Sequence, residues 1–119
     1  MDCMILVYRD PDLEPARDAP GFREMVDSYL RANERMKADG VWRAGAGLQG
    51  AETSTILQLR GGSVRLGQAP YLPGKEQLAG YYILDVADAA AAAEYAKLLP
   101  PAQYGTIEIR PLKIYPPSN

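Results

Sequence analysis

The chain has 119 residues, 47% hydrophobic and 24% charged, with thirteen basic and fifteen acidic side chains giving a formal charge of -2. One ordinary globular domain is expected at that length and composition, and with no basic cluster along the chain nothing points to nucleic acid. The absence of histidine and the single cysteine exclude Ser-His and Cys-His nucleophilic pairs, a histidine-ligated haem, a Cys/His zinc site and an intramolecular disulfide.

No basic, apolar leader with a small-residue cleavage site opens the sequence. No apolar run approaches the roughly 20 residues of a membrane helix. A cytoplasmic protein that engages neither membrane nor nucleic acid is therefore expected. Acid–base work falls to carboxylates, tyrosines, lysines or bound water. A carboxylate metal site has no local Asp/Glu cluster at ligand spacing behind it, and no cofactor is expected.

Cys3–Tyr8 is a short apolar run with β-branched and aromatic members, stopped by Arg9-Asp10-Pro11; it reads as a buried strand with Cys3 packed inside. Residues 9–19 read as a polar, proline-containing loop. From Pro20 to Asp39 the period becomes helical: Phe22, Met25, Val26, Tyr29 and Met36 form one face, a core stripe, opposite Arg23, Asp27, Arg31, Glu34 and Lys37. Pro20 suits the first turn, Asp18 is an acidic start signal, and Asp27–Arg31 is a favourable i,i+4 pair worth a few tenths of a kcal/mol. Gly40 is placed to end the helix.

Val41–Ala44 is a second strand candidate, and Gly45, Gly47 and Gly50 after it mark a bulge or bend. They are not a dinucleotide fingerprint, because no helix start follows them. Thr55–Arg60 and Ser63–Leu66 flank Gly61-Gly62, a hairpin signal. Ala79–Val86 is a strand with Tyr81, Ile83 and Asp85 on one face and Tyr82, Leu84 and Val86 on the other. Asp88 caps an alanine-rich helix over residues 89–99, with a flat alanine face and Pro100-Pro101 as its stop. A loop through Gly105 leads to the alternating strand Thr106–Arg110, and an extended tail runs to Asn119.

With the hairpin set aside, the order is β-α-β-β-α-β, a ferredoxin-like α+β fold. Helices are expected on one sheet face. The other face, of apolar, tyrosine and charged side chains, needs a partner, and two sheets packed face to face make a dimeric barrel.

Three segments carry a resemblance: Gly45-x-Gly47-Leu48; Pro70-Tyr71 followed by Lys75-Glu76-Gln77-Leu78-x-Gly80-Tyr81-Tyr82-x-Leu84-Asp85-Val86; and Tyr104–Pro111. Together they resemble the YCII-related family, in the branch named for an Asp-Gly-Pro-Phe motif. The resemblance spans nearly the whole chain and implies a dimeric α+β barrel with a cleft between subunits and mostly no assigned reaction. The naming motif falls on Gln68-Ala69-Pro70-Tyr71, so its aspartate and glycine are replaced. The histidine–aspartate pair of some relatives has no counterpart here, and Ala46 stands where several relatives carry an acid.

Two functions follow. The first is a binder of a small cyclic or aromatic metabolite in the barrel cleft, as a candidate cofactor-independent isomerase or lyase. Its candidate acid–base residues are Glu76 and Glu108, and its ligand-binding candidates are Arg43, Tyr71, Tyr82 and Arg110. Each has a plainer reading: Glu76 as a rim carboxylate beside Lys75, Glu108–Arg110 as a structural ion pair, Arg43 as surface, Tyr71 as a loop anchor, and Tyr82 as core. Asp85 reads as structural. The second function is a non-catalytic interaction module. It is implied by the resemblance to a branch often encoded beside extracytoplasmic-function sigma factors, which makes such a factor a candidate partner; it predicts a filled, dry interior.

Overall fold

A computed structural model describes residues 1–116. In chain order the elements are β1 (Asp2–Arg9), α1 (Pro20–Ala38), β2 (Trp42–Gly47), β3 (Thr55–Arg60), β4 (Ser63–Gln68), β5 (Gln77–Asp85), α2 (Ala89–Ala96), α3 (Pro101–Tyr104) and β6 (Thr106–Pro111). Single 3-10 turns lie at Pro11–Leu13 and Ala51–Thr53. The expected extended tail reaches residues 117–119, which lie outside the described residues.

The main sheet has the order β2-β5-β1-β6, with every neighbouring pair antiparallel. That is the strand order of a ferredoxin-like fold with a hairpin inserted between its second and third strands. The alternation of β1 and β5 selects the covered face: Cys3, Ile5 and Val7, with Tyr82 and Leu84, are buried. They meet Ala32 and Met36 of α1, Ala92 and Ala96 of α2, and Leu99. The alanines of α2 bring that helix close to the sheet, and the Asp88 carboxylate caps it by accepting from the Ala91 amide at 2.8 Å.

The opposite face carries Met4, Leu6, Tyr81 and Ile83, all only half-buried. The hairpin strands β3 and β4 pair with each other alone. Gly61 (φ 55°) and Gly62 (φ 79°) form their two-residue turn, the primed geometry that suits a twisted ribbon. The cross-strand pairs Leu57–Leu66 and Leu59–Val64 give this ribbon one apolar face, whose four side chains are 57–70% exposed. The projecting hairpin raises the radius of gyration to 16.7 Å, against about 13.5 Å for a compact chain of this length.

Local expectations differ from the structure in five places. The start signal Asp18 lies outside the first turn of α1, which opens at Pro20 behind the N-cap Ala19 with no side-chain bond. Asp27, with an arginine four residues away on either side, pairs with Arg23 at 2.9 Å, while Arg31 donates to Ser28 Oγ at 3.1 Å. The second strand begins at Trp42 rather than Val41 and runs on to Gly47, with its bulge at Arg43 instead of in the glycines. Helix α2 ends at Ala96, and Pro101 opens a short helix where a loop was expected; proline is well placed at a first helical position because it has no N–H to satisfy. Finally, Glu108 and Arg110 form no ion pair. Glu108 instead accepts from the Tyr8 hydroxyl of the neighbouring strand at 3.3 Å.

Candidate ligand cavity

A cavity of about 460 Å³ opens between α1 and the covered face of the sheet, within the range of small-molecule sites. Its construction starts at the bulge. Trp42 pairs with Leu84 and Ala44 with Ile83, so Arg43 is the extra residue. The bulge leaves Trp42 on the helix side and carries Arg43 to the open face, 2.8 Å from Asp85. Past the bulge, Gly45 pairs with Tyr82, and the missing side chain there makes room for the indole. The Trp42 and Tyr82 rings meet edge to face, with centroids 5.7 Å apart at 79°, a favourable aromatic geometry. Lys37 Nζ lies 4.7 Å from the centroid of the indole ring, a cation–π contact. Tyr29 of α1 is a third aromatic lining residue.

The polar end comes from the β1–α1 connection. The Asp10 carboxylate accepts from the Asp12 amide at 2.9 Å, closing the 3-10 turn that brings Glu14 back to Arg9. Arg9 Nη1 donates to Glu14 Oε2, and the Glu14 side chain is only 8% exposed. Its other oxygen accepts from the Tyr104 hydroxyl at 3.1 Å. Both Arg9 and Glu14 line the cavity. Burial, reinforced by Glu14, holds the Tyr104 hydroxyl well above the ordinary tyrosine value. Burial does the same for Tyr29, with smaller contributions from Tyr104 and Glu14, and raises Tyr82. All three hydroxyls therefore stay protonated near neutrality. Asn33, one turn beyond Tyr29, also lines the cavity, and its Oδ1 is buried with no hydrogen-bond partner among the described residues.

Of the residues expected from the sequence, Tyr82 alone lines this cavity. Glu76 is exposed and accepts from Thr106 Oγ1 at 2.8 Å, tying the approach to β5 to the start of β6. Glu108 and Arg110 pair with Leu6 and Met4, which sets them on the open face. Arg43 joins Asp85 there, and Asp85 also holds the N-terminal amine at 2.9 Å. Tyr71 is 68% exposed on its loop, outside the buried core.

Five residues that build this cavity went unnoticed as site candidates: Arg9, Glu14, Tyr29, Asn33 and Trp42, the last because the bulge that turns it inward was expected in the glycines and not at Arg43. Arg9 and Glu14 lay in a segment read only as a loop, and no local rule relates side chains across an irregular turn. Tyr29 was assigned to the core stripe. Asn33 did leave a signal: it follows Tyr29 by four and precedes Met36 by three, a polar residue on the apolar face of α1.

Among the described residues no helix is long and apolar enough to cross a membrane. No curated protein matches the sequence. The model of the YCII-related domain matches residues 1–115, nearly the whole length, so the chain belongs to the YCII-related family.

Proposed function

We propose that the protein binds a small cyclic or aromatic molecule in the cavity between α1 and the sheet, and that it works as a homodimer. The observation that carries the binding reading is the pairing, in one cavity of ligand size, of aromatic surfaces with the Arg9–Glu14 end. Tyr29, Trp42 and Tyr82 suit a flat ring, and the polar end suits its substituent. Within the site Glu14 is the carboxylate positioned to exchange a proton. An isomerisation that moves one proton between two carbons of the ligand needs nothing further: Glu14 takes the proton from one carbon and returns it to the other. A cofactor-independent isomerase or lyase is thus the reaction class this reading favours. Within the family, we place the chain in the branch named for the Asp-Gly-Pro-Phe motif, on the strength of the segment from Lys75 to Tyr82.

The homodimer reading rests on two apolar surfaces that the chain leaves uncovered, the open sheet face and one face of the hairpin. A two-stranded hairpin is at best marginally stable alone in water. A second copy covering both surfaces also encloses Glu108 and Arg110. The alternative of an interaction module, with a sigma factor as partner, draws on the same exposed hairpin but calls for a filled interior. The open cavity favours the small-molecule reading.

Trp42 is the only tryptophan and lines the cavity, so its emission reports occupancy directly. A screen of small acids, phenols, quinones and lactones is expected to yield saturable changes in Trp42 emission with matching rises in melting temperature. Ligands that stabilise the protein without perturbing Trp42 refute this location. Sedimentation equilibrium is expected to give twice the 13.0 kDa chain mass, and a single-chain mass at micromolar concentration refutes the homodimer.

A further inference from the structure

Asn33 narrows the chemistry of the ligand. Its side chain lines the cavity but makes no hydrogen bond to any described residue, and its Oδ1 is the atom sealed from solvent without a partner. With Oδ1 sealed, Nδ2 is the polar atom that this cavity-lining amide has left to offer a ligand. A buried acceptor left unpaired costs about 1–3 kcal/mol, a cost that fits a group oriented for binding. Arg9 complements it. The guanidinium bonds Glu14 through Nη1, and its Nε and Nη2 form no hydrogen bond to a described residue. Tyr29 and Tyr82, kept protonated by burial, add hydroxyls along the aromatic side. Donors thus outnumber acceptors among the described side chains that line the cavity, where Glu14 is the one carboxylate.

We infer that the ligand carries a hydrogen-bond acceptor, a ring carbonyl or carboxylate oxygen, that is received by Asn33 Nδ2 and the Arg9 guanidinium. This rests on the cavity reading above and specifies the substrate class within it. It also fits the chemistry proposed there, because an acceptor oxygen held by two donors is the atom on which charge collects when a neighbouring carbon gives its proton to Glu14.

The test is a titration of the full chain followed by proton–nitrogen NMR at the Trp42 indole and the Asn33 side-chain amide. The probes are acetophenone and benzoate, which offer an acceptor oxygen; aniline, which offers donors; and ethylbenzene, which offers neither. The expected result is that acetophenone and benzoate bind about tenfold or more tighter than ethylbenzene and aniline and shift the Asn33 amide protons downfield. That preference is lost in Asn33→Leu and also in Asn33→Asp, which keeps the size and an acceptor but removes the donor. Ring binding without an acceptor preference overturns the inference and leaves the cavity reading standing. So does a preference that survives in both variants, or one for aniline that persists in Asn33→Asp. Failure of all four probes to move the Trp42 signal overturns both. Circular dichroism of each variant confirms that the fold is retained.

Discussion

The Trp42 ring stands edge-on to Tyr82 because Gly45, not a larger residue, occupies the strand position between them. A Cβ at Gly45 falls 2.7 Å from Trp42 Cη2 and 3.1 Å from Tyr82 Cδ1, closer than packed carbon atoms approach. The aromatic side of the cavity therefore depends on an absent side chain, and the bulge at Arg43 turns the indole toward that space.

Gly45→Ala is thus expected to displace the indole rather than fill a void. Overpacking of this kind typically costs about 1–3 kcal/mol. The measurements are a denaturant midpoint and the Trp42 emission maximum, which should move to longer wavelength as the ring becomes wetter. An unshifted emission spectrum with native stability counts against this account of the aromatic pair.

Ala69 has φ 84°, in the region that L residues occupy at a cost, and it precedes Pro70, which restricts it further. A residue with a side chain thus holds a backbone conformation that glycine adopts at no steric cost. Relief of a left-handed alanine is worth about 1–2 kcal/mol, offset by the greater freedom glycine gives the unfolded chain, about 0.4–1 kcal/mol. Ala69→Gly is expected to raise stability by the difference, at most about 1.6 kcal/mol by these terms. A loss of stability in urea unfolding contradicts this reading.

Glu14 joins three elements, since Arg9 ends β1, Glu14 lies in the following loop and Tyr104 ends α3. Glu14→Ala leaves Arg9 unpaired and Tyr104 without its acceptor. Breaking a buried pair costs about 3–5 kcal/mol, and the 30% exposure of the Arg9 side chain places this case below that range, at about 2 kcal/mol. Glu14→Gln keeps an acceptor for Tyr104, so it should lose less. Chemical denaturation of the two variants side by side checks the order.

The tyrosines set an alkaline limit. Tyr29 and Tyr104 are held above their ordinary value chiefly by burial, so the folded state binds their protons more tightly than the unfolded state. Stability from this source is complete below the unfolded tyrosine value of about 10 and declines as pH rises beyond it. Absorbance at 295 nm should show a fraction of the eight tyrosines ionising late, together with unfolding. Tyr29→Phe and Tyr104→Phe should each shrink that late component.

Periodicity alone identifies most of this fold. The two-residue alternation in β1, β5 and β6, the helical stripe of α1, the Gly61-Gly62 turn and the Asp88 cap are all set by neighbours within a few residues. Local sterics and hydrogen bonding act at that range, and the strand order of a ferredoxin-like sheet follows from the succession of elements. The cavity depends on relationships of another kind. Arg9, Glu14, Asn33, Trp42 and Tyr82 come from β1, the loop after it, α1, β2 and β5, and only packing α1 against the sheet brings them together. The bulge at Arg43 then decides which of two adjacent side chains faces inward. The sequence determined the elements because their hydrogen bonds and hydrophobic spacing are local; tertiary structure decided the site because a cavity is made of residues that no local interaction connects.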